Sequence, residues 1–316
     1  MARTAFLFPG QGSQTVGMGM DVASSFPAAR RVFEVADRIL GFSLSNLIKQ
    51  GPEEELKQTI NTQPAIITTS IAILEVLLEN GIEPNAVAGH SIGEYAALYC
   101  AGVLSMEDCI SLARSRGEYM HEAGLRYPGS LSAVIGLDTE KVEEICKNAS
   151  SEGIVVVANL NCPAQIVISG ELGALEKAGR LALEAGAMKV IPLTVSAAFH
   201  SPLMNEAAEK LSAKLDSVKF NDARVPVYCN VTAEPIKSGE EIRSLMKKQI
   251  TSQVLWEKII RKMLADGMET FFEVGPGTAL AGMMKRIDRK VPVEGASSLA
   301  TVEKIIKKYA GQPSIS

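Results

Sequence analysis

The pentapeptide Gly89-His90-Ser91-Ile92-Gly93 restricts the folds open to this chain more than any other segment. It matches G-x-S-x-G, follows the short apolar run Ala86–Ala88 and precedes a helical pattern. That is the strand–turn–helix setting of a nucleophile elbow. Glycines at both ends allow a tight turn, so the serine hydroxyl can project at a helix N-terminus. The pattern is loose, and a chance match is its plain alternative. An elbow of this kind calls for parallel strands alternating with helices.

The flanking sequence reads that way. A strand is expected at Thr4–Phe8, running into a glycine-rich turn. Helical patterns follow to about Ile39, then a loop, then a buried helix opened by Pro64. Glu94–Ala101 and Glu107–Ala123 read as helices joined by a turn at Gly102. From about Leu131 the rhythm changes: strand Leu131–Ile135, helix Thr139–Ala149, strands Ile154–Leu160 and Gln165–Ser169, helix Leu172–Ala185 and strand Lys189–Leu193. That βαββαβ order is a ferredoxin-like pattern. A strand at Val225–Asn230 and a final core strand at Glu269–Val274, leading into Gly275-Pro276-Gly277, resume the larger unit. The expected architecture is α/β. A large α/β-hydrolase-like domain with a short parallel sheet (residues 1–126 and 197–316) carries an inserted ferredoxin-like small domain (127–196). The tail Gly311–Ser316 is expected to be unstructured.

Composition removes several classes. With 316 residues, 47% of them hydrophobic and 22% charged, the chain suits one large or two modest globular domains. A net charge of -4 gives no support to nucleic-acid binding. Five cysteines without a C-x-x-C pair indicate neither a disulfide framework nor a zinc site, which fits a reduced, cytoplasmic setting. The apolar run at the N-terminus is too short for a signal peptide. Ala65–Leu78 carries Thr68, Thr69, Ser70 and Glu75, so no membrane span is expected.

A serine nucleophile needs a base, and the chain has only 3 histidines. His90 adjoins Ser91 on the elbow and projects elsewhere. His121 sits on a helix beside Glu122. His200, in Ser196-Ala197-Ala198-Phe199-His200-Ser201-Pro202, remains by elimination. A hydrolase triad would also want an acid between serine and histidine and a late histidine. The acids there fall mostly on helix faces or in the inserted unit, none stands out, and His200 has over a third of the chain behind it. A dyad suits thioester exchange, where the leaving thiol has a pKa around 8.5 and needs little acid assistance. The turn Phe8-Pro9-Gly10-Gln11-Gly12-Ser13-Gln14 is no dinucleotide loop, because Thr15 stands where the third glycine belongs. It could supply one oxyanion donor, with the amide of Ile92 as the other.

Together these segments resemble the malonyl-CoA:acyl carrier protein transacylases. The likeness rests on Phe8–Gln14, Asn61-Thr62-Gln63-Pro64-Ala65, Gly89–Tyr95, Ala158-Asn159, Ile168-Ser169-Gly170, Phe199-His200-Ser201 and Glu273–Gly277, over about residues 4–290. The resemblance implies that Ser91 is acylated, that His200 is its base, and that the Gln11 and Ile92 amides hold the oxyanion. It maps the arginine that binds the substrate carboxylate onto Arg116. The carbonyl that orients the histidine maps onto Gln249. Gln63 would line the site, and Phe199 would disfavour a branched acyl group. Helical spacing by itself does not choose Arg116 over Arg114. Val254 stands where the family usually shows an arginine before the tryptophan, here Trp256.

The implied reaction is ping-pong malonyl transfer from malonyl-CoA to acyl carrier protein, with no metal or redox cofactor. A serine hydrolase or thioesterase is the rival, and a non-catalytic carrier-protein-binding module is a second. No nucleic-acid or membrane partner is expected, and a monomer is. Lys247, Lys248, Lys285, Arg286, Arg289 and Lys290 are candidates for meeting an acidic carrier protein, or are simply solvated helix ends.

Overall fold

The computed structural model describes residues 3–195 and 197–309, so the tail from Gly311 onward lies outside them. In chain order, β1 (Thr4–Phe8) is followed by α1 (Met20–Ser25), α2 (Pro27–Leu40), α3 (Leu44–Gln50), α4 (Glu53–Leu56) and α5 (Thr59–Glu79). Then come β2 (Ala86–Gly89), α6 (Gly93–Cys100) and α7 (Met106–Arg126). The middle segment runs β3 (Gly129–Ile135), α8 (Thr139–Ala149), β4 (Val155–Cys162), β5 (Gln165–Glu171), α9 (Leu172–Glu184) and β6 (Lys189–Pro192). The remainder is α10 (Asn205–Asp216), β7 (Val227–Tyr228), β8 (Pro235–Ile236), α11 (Gly239–Gln249), α12 (Trp256–Ala265), β9 (Thr270–Val274), α13 (Ala279–Ile287), β10 (Val293–Ala296) and α14 (Leu299–Tyr309).

One sheet has the order β10-β9-β1-β2-β7-β8, with all neighbours parallel except β8, which runs antiparallel to β7. Its central strands β1 and β2 read as almost wholly apolar runs because both faces are covered. Successive side chains serve different cores. Phe6, Phe8, Val87 and Phe272 pack with α2, α5 and α6, while Ala5, Leu7, Ala86, Ala88 and Phe271 pack with α12 and α13. The second sheet, β4-β5-β3-β6, is antiparallel throughout. Val134, Ile166 and Ile168 bury one face against α8 and α9. Leu131, Ala133, Ala158 and Val167 turn the other face into the main core. Val254 stitches β4 to the large unit through paired backbone bonds, Val254 N to Ala158 O and Leu160 N to Val254 O, both 2.9 Å.

Three expectations need correction. The helix expected to open at Pro64 begins at Thr59 and carries Pro64 inside it, and the preceding loop holds α3 and α4. Proline there removes the N–H that would bond the Ile60 carbonyl. Arg114 on α7 supplies a substitute, donating through Nη1 to Ile60 O at 3.2 Å and to Asn61 Oδ1 at 3.0 Å. Gly117 lets the two helices meet, since a Cβ there would lie 2.9 Å from Thr59 O. The strand expected at Val225–Asn230 shrinks to Val227–Tyr228, because its neighbour β2 is itself short and pairs only there. Finally, β9 is not the last core strand: β10 pairs along its outer edge, with a glutamate and a glycine that hide it from an apolar-run reading. The apolar helix α5 is long enough to cross a bilayer, yet 89% of its most apolar window is buried inside the protein.

Candidate active site

Strands β1 and β2 pair in register at Phe8 and Gly89, so the turns that follow them leave the same end of the sheet side by side. The β2 turn carries Ser91 with φ +52, a left-handed conformation unusual for a side chain other than glycine. Neighbouring glycines make room for it. A Cβ at Gly89 would sit 2.1 Å from the Gly93 carbonyl, and one at Gly93 would sit 2.3 Å from Phe8 O. Asn230 clamps the turn from outside: its Oδ1 accepts from Ser91 N and its Nδ2 donates to Gly89 O, each at 2.7 Å.

His200 also has positive φ, at +57, and its amide is fixed to Ile250 O at 3.0 Å. Its Nδ1 faces two carbonyls, Gln249 O and Ser252 O, both at 3.0 Å, so that nitrogen carries the proton. The lone pair is then on Nε2, which accepts from the Ser91 hydroxyl at 2.7 Å. Burial, followed by the charge of Arg116, pushes His200 down to about 3, so the ring is neutral and ready to take a proton. His90 points away, donating to Asn161 Oδ1 at 2.8 Å and meeting the Trp256 ring edge to face.

Arg116 is the least conventional member. It is 1% exposed, reaches across from α7, and donates through Nη2 to Ser91 Oγ and to Gln249 Oε1, both at 3.1 Å. Its Nε has no partner, and among the described residues it makes no ion pair. A buried cation without a protein anion is expensive, and burial lowers its pKa to about 10. Arg114 is engaged elsewhere, with Glu118, Ile60 and Phe42. The choice that helical spacing left open thus has a geometric answer: Arg116, not Arg114, lies beside Ser91.

Gln11 and Ile92 lie on the two adjacent turns, and neither amide is taken by another group among the described residues. The Gln11 side chain donates to Thr59 Oγ1 at 3.2 Å. Phe199 is buried in the main core beside His200. Gln63, also buried, donates to Met120 Sδ at 3.4 Å and bonds none of Ser91, His200 or Arg116; its Oε1 is unpartnered.

Comparison with known proteins decides the family. Residues 5–312 match the acyl transferase domain family. The malonyl CoA-acyl carrier protein transacylase of Bacillus subtilis is 46% identical over 308 residues, 97% of either chain. This chain belongs to the malonyl-CoA:acyl carrier protein transacylase family. Solved relatives agree in fold. The transacylase of Coxiella burnetii superposes with a TM-score of 0.94 at 37% identity, covering 98% of each chain. A malonyl-transacylase in complex with its type II PKS acyl-carrier protein gives 0.94 at 38% identity, covering 97% of this chain and 100% of that one.

Seen as a transacylase site, the cluster contains groups that the sequence reading assigned no role. Gln249 was expected to act through its carbonyl alone. Its side chain also donates to Ser91 O at 2.9 Å and to Glu94 Oε2 at 2.6 Å. Glu94 is 1% exposed, and burial raises its carboxyl to about 7 against the pull of Gln249, Asn230 and Arg116. Glu94 directly follows the G-x-S-x-G signature, and that position was its only available signal. Asn230 acts on the elbow backbone, Asn161 on His90 and the Ser252 carbonyl on His200, all from distant segments where no local pattern announces them.

Proposed function

We infer that this protein moves a malonyl group from malonyl-CoA to the pantetheine thiol of acyl carrier protein through a seryl acyl-enzyme. The observation that carries the reading is Arg116, a buried cation with no direct ion pair among the described residues, 3.1 Å from the oxygen of Ser91. A carboxylated acyl group supplies the missing charge, and a guanidinium can hold it with two parallel hydrogen bonds.

His200 Nε2 takes the Ser91 proton as Oγ bonds the thioester carbon. The amides of Gln11 and Ile92 accept the developing oxyanion as hydrogen-bond donors. The carbon–sulfur bond then breaks, and the departing coenzyme A sulfur takes the proton back from His200. In the second half-reaction the pantetheine thiol gives its proton to His200 and attacks the acyl-enzyme, which restores the Ser91 hydroxyl. The two carbonyls on Nδ1 do the orienting that an acid does in a hydrolase triad. Gln63 lines the acyl pocket, and Phe199 crowds the α-carbon of the acyl group.

The strand order of the second sheet supports a ferredoxin-like small domain at 127–196, set into an α/β-hydrolase-like large domain of residues 1–126 and 197–316. The protein works as a cytoplasmic monomer in this reading. Intact-mass measurement after mixing with malonyl-, methylmalonyl- and acetyl-CoA tests it. A malonyl adduct mapping to Ser91 and lost in Ser91→Ala is expected, and an adduct that survives the substitution rejects the assignment.

A further inference from the structure

Glu94 lies on the first turn of α6, three residues past the candidate nucleophile, and has no contact with Ser91 Oγ or His200 of its own. Its two oxygens are divided between two residues from the far end of the chain. Oε1 accepts from Asn230 N at 3.2 Å, and Oε2 accepts from Gln249 Nε2 at 2.6 Å. Asn230 is the clamp on the elbow, and Gln249 touches Ser91, Arg116 and His200. Glu94 thus holds the residue through which the other three are joined.

A glutamine amide can face either way. An ionised carboxylate only accepts hydrogen bonds, so Glu94 fixes the choice: Nε2 faces Glu94 and Ser91 O, and Oε1 is left for Arg116 Nη2. The flipped amide would set N–H groups against the guanidinium and take the Gln249 donor away from Glu94 Oε2 and from Ser91 O. In such a site half-satisfied networks are costly, which gives the arrangement two discrete states instead of a continuum. We propose that Glu94 is a positioning residue for the acyl carboxylate: by fixing the Gln249 side chain it holds the Arg116 guanidinium beside Ser91, and so sets the preference for a carboxylated acyl group. The inference rests on the malonyl-transfer reading above.

The charge of Glu94 is the adjustable part. The groups facing the cluster are Arg116 on α7, Tyr95 on α6, Cys229 after β7, and His200 with His90. Burial holds Arg116 at about 10 and His200 at about 3, lowers His90, and raises Tyr95 and Cys229 above their ordinary values. Near neutrality Glu94 is the member that changes charge. Protonation would let Glu94 donate to Gln249 Oε1, which releases the amide to flip and removes the acceptor from Arg116.

Initial rates of acylation by malonyl-CoA and by acetyl-CoA, with kcat and KM resolved, would be measured from about pH 6 to about 8.5 in wild type and Glu94→Gln. Glutamine fills the same space but offers an N–H to one of the two donors and does not titrate. The malonyl-to-acetyl ratio of kcat/KM is expected to rise with pH in wild type by on the order of tenfold. In Glu94→Gln the ratio should be flat and roughly tenfold below the wild-type value at high pH, with acetyl transfer little changed. Equal losses for both acyl groups in a folded variant would show a role in the fold alone and overturn the proposal. If the variant does not fold, the wild-type pH series decides, and a flat ratio there overturns it. Wild-type protein that takes no malonyl group overturns the transfer reading and this inference with it. Malonyl loading with an unaltered ratio in Glu94→Gln overturns this inference alone.

Discussion

At the scale of single residues, the site joins a neutral imidazole to a buried cation, and the two affect activity in different ways. His200→Ala should reduce acylation on the order of 10²–10⁴-fold, measured as single-turnover adduct formation, while His90→Ala should have far less effect. The His200 ring is depressed to about 3, below its ordinary value near 6.5. Its contribution to stability is therefore complete above about pH 6.5 and is lost as pH falls toward about 3. His200→Gln should show a shallower acid decline of its melting temperature across that window. Arg116→Ala is expected to lose malonyl transfer while keeping or gaining acetyl transfer, because each charge-assisted bond contributes roughly 1.5–3 kcal/mol. Phe199→Ser should narrow the gap between malonyl- and methylmalonyl-CoA in the same assay. An Arg116→Ala enzyme that prefers malonyl as wild type does would move the carboxylate elsewhere.

Elements were legible where their reason is local. The core strands β1 and β9 and helices α8 and α9 announce themselves by apolar runs or by helical periodicity with an N-cap, such as Asp138 accepting from Lys141 N at 2.8 Å. The elbow was legible because steric demands on Gly89 and Gly93 leave a pattern in the sequence. Helix α5 was misread because the group that tolerates Pro64 stands 54 positions away from Ile60, on another helix. Arg114→Ala should destabilise the protein by about 1–3 kcal/mol by stranding the Ile60 carbonyl, seen as a lower unfolding midpoint in denaturant, with acyl selectivity intact. Strands β7 and β10 were misjudged in length or missed, since a two-residue pairing and a mixed edge strand carry almost no periodic signal. Within the site, Ser91 and His200 could be found by motif and elimination. The contacts of Glu94, Asn230 and the Gln249 side chain depend on tertiary pairing that no spacing encodes.

Across the whole molecule, exposed basic residues cluster at the ends of two helices. Lys248 lies in the last turn of α11, and Lys285, Arg286, Arg289 and Lys290 follow one another along and after α13. Lys247 is instead paired with Asp216 at 2.5 Å, which leaves it less available. Arg286 leans on Pro163 O and Gln165 at the β4–β5 turn, and so lies at the seam between the two sheets. If this surface steers an acidic carrier protein, transfer to carrier protein should slow as salt rises while transfer to free pantetheine should not. Equal salt response for the two acceptors would remove these residues from consideration. The clamp on the elbow has a further bearing, on the order in which the chain is made. Ser91 leaves the ribosome 109 residues ahead of His200, 139 ahead of Asn230 and 158 ahead of Gln249. Until those later segments emerge, the serine is an ordinary hydroxyl with no base beside it and no amide holding its turn. A nascent chain therefore carries the candidate nucleophile unarmed past every thioester in its surroundings until the segments that bring its base and its clamp have emerged.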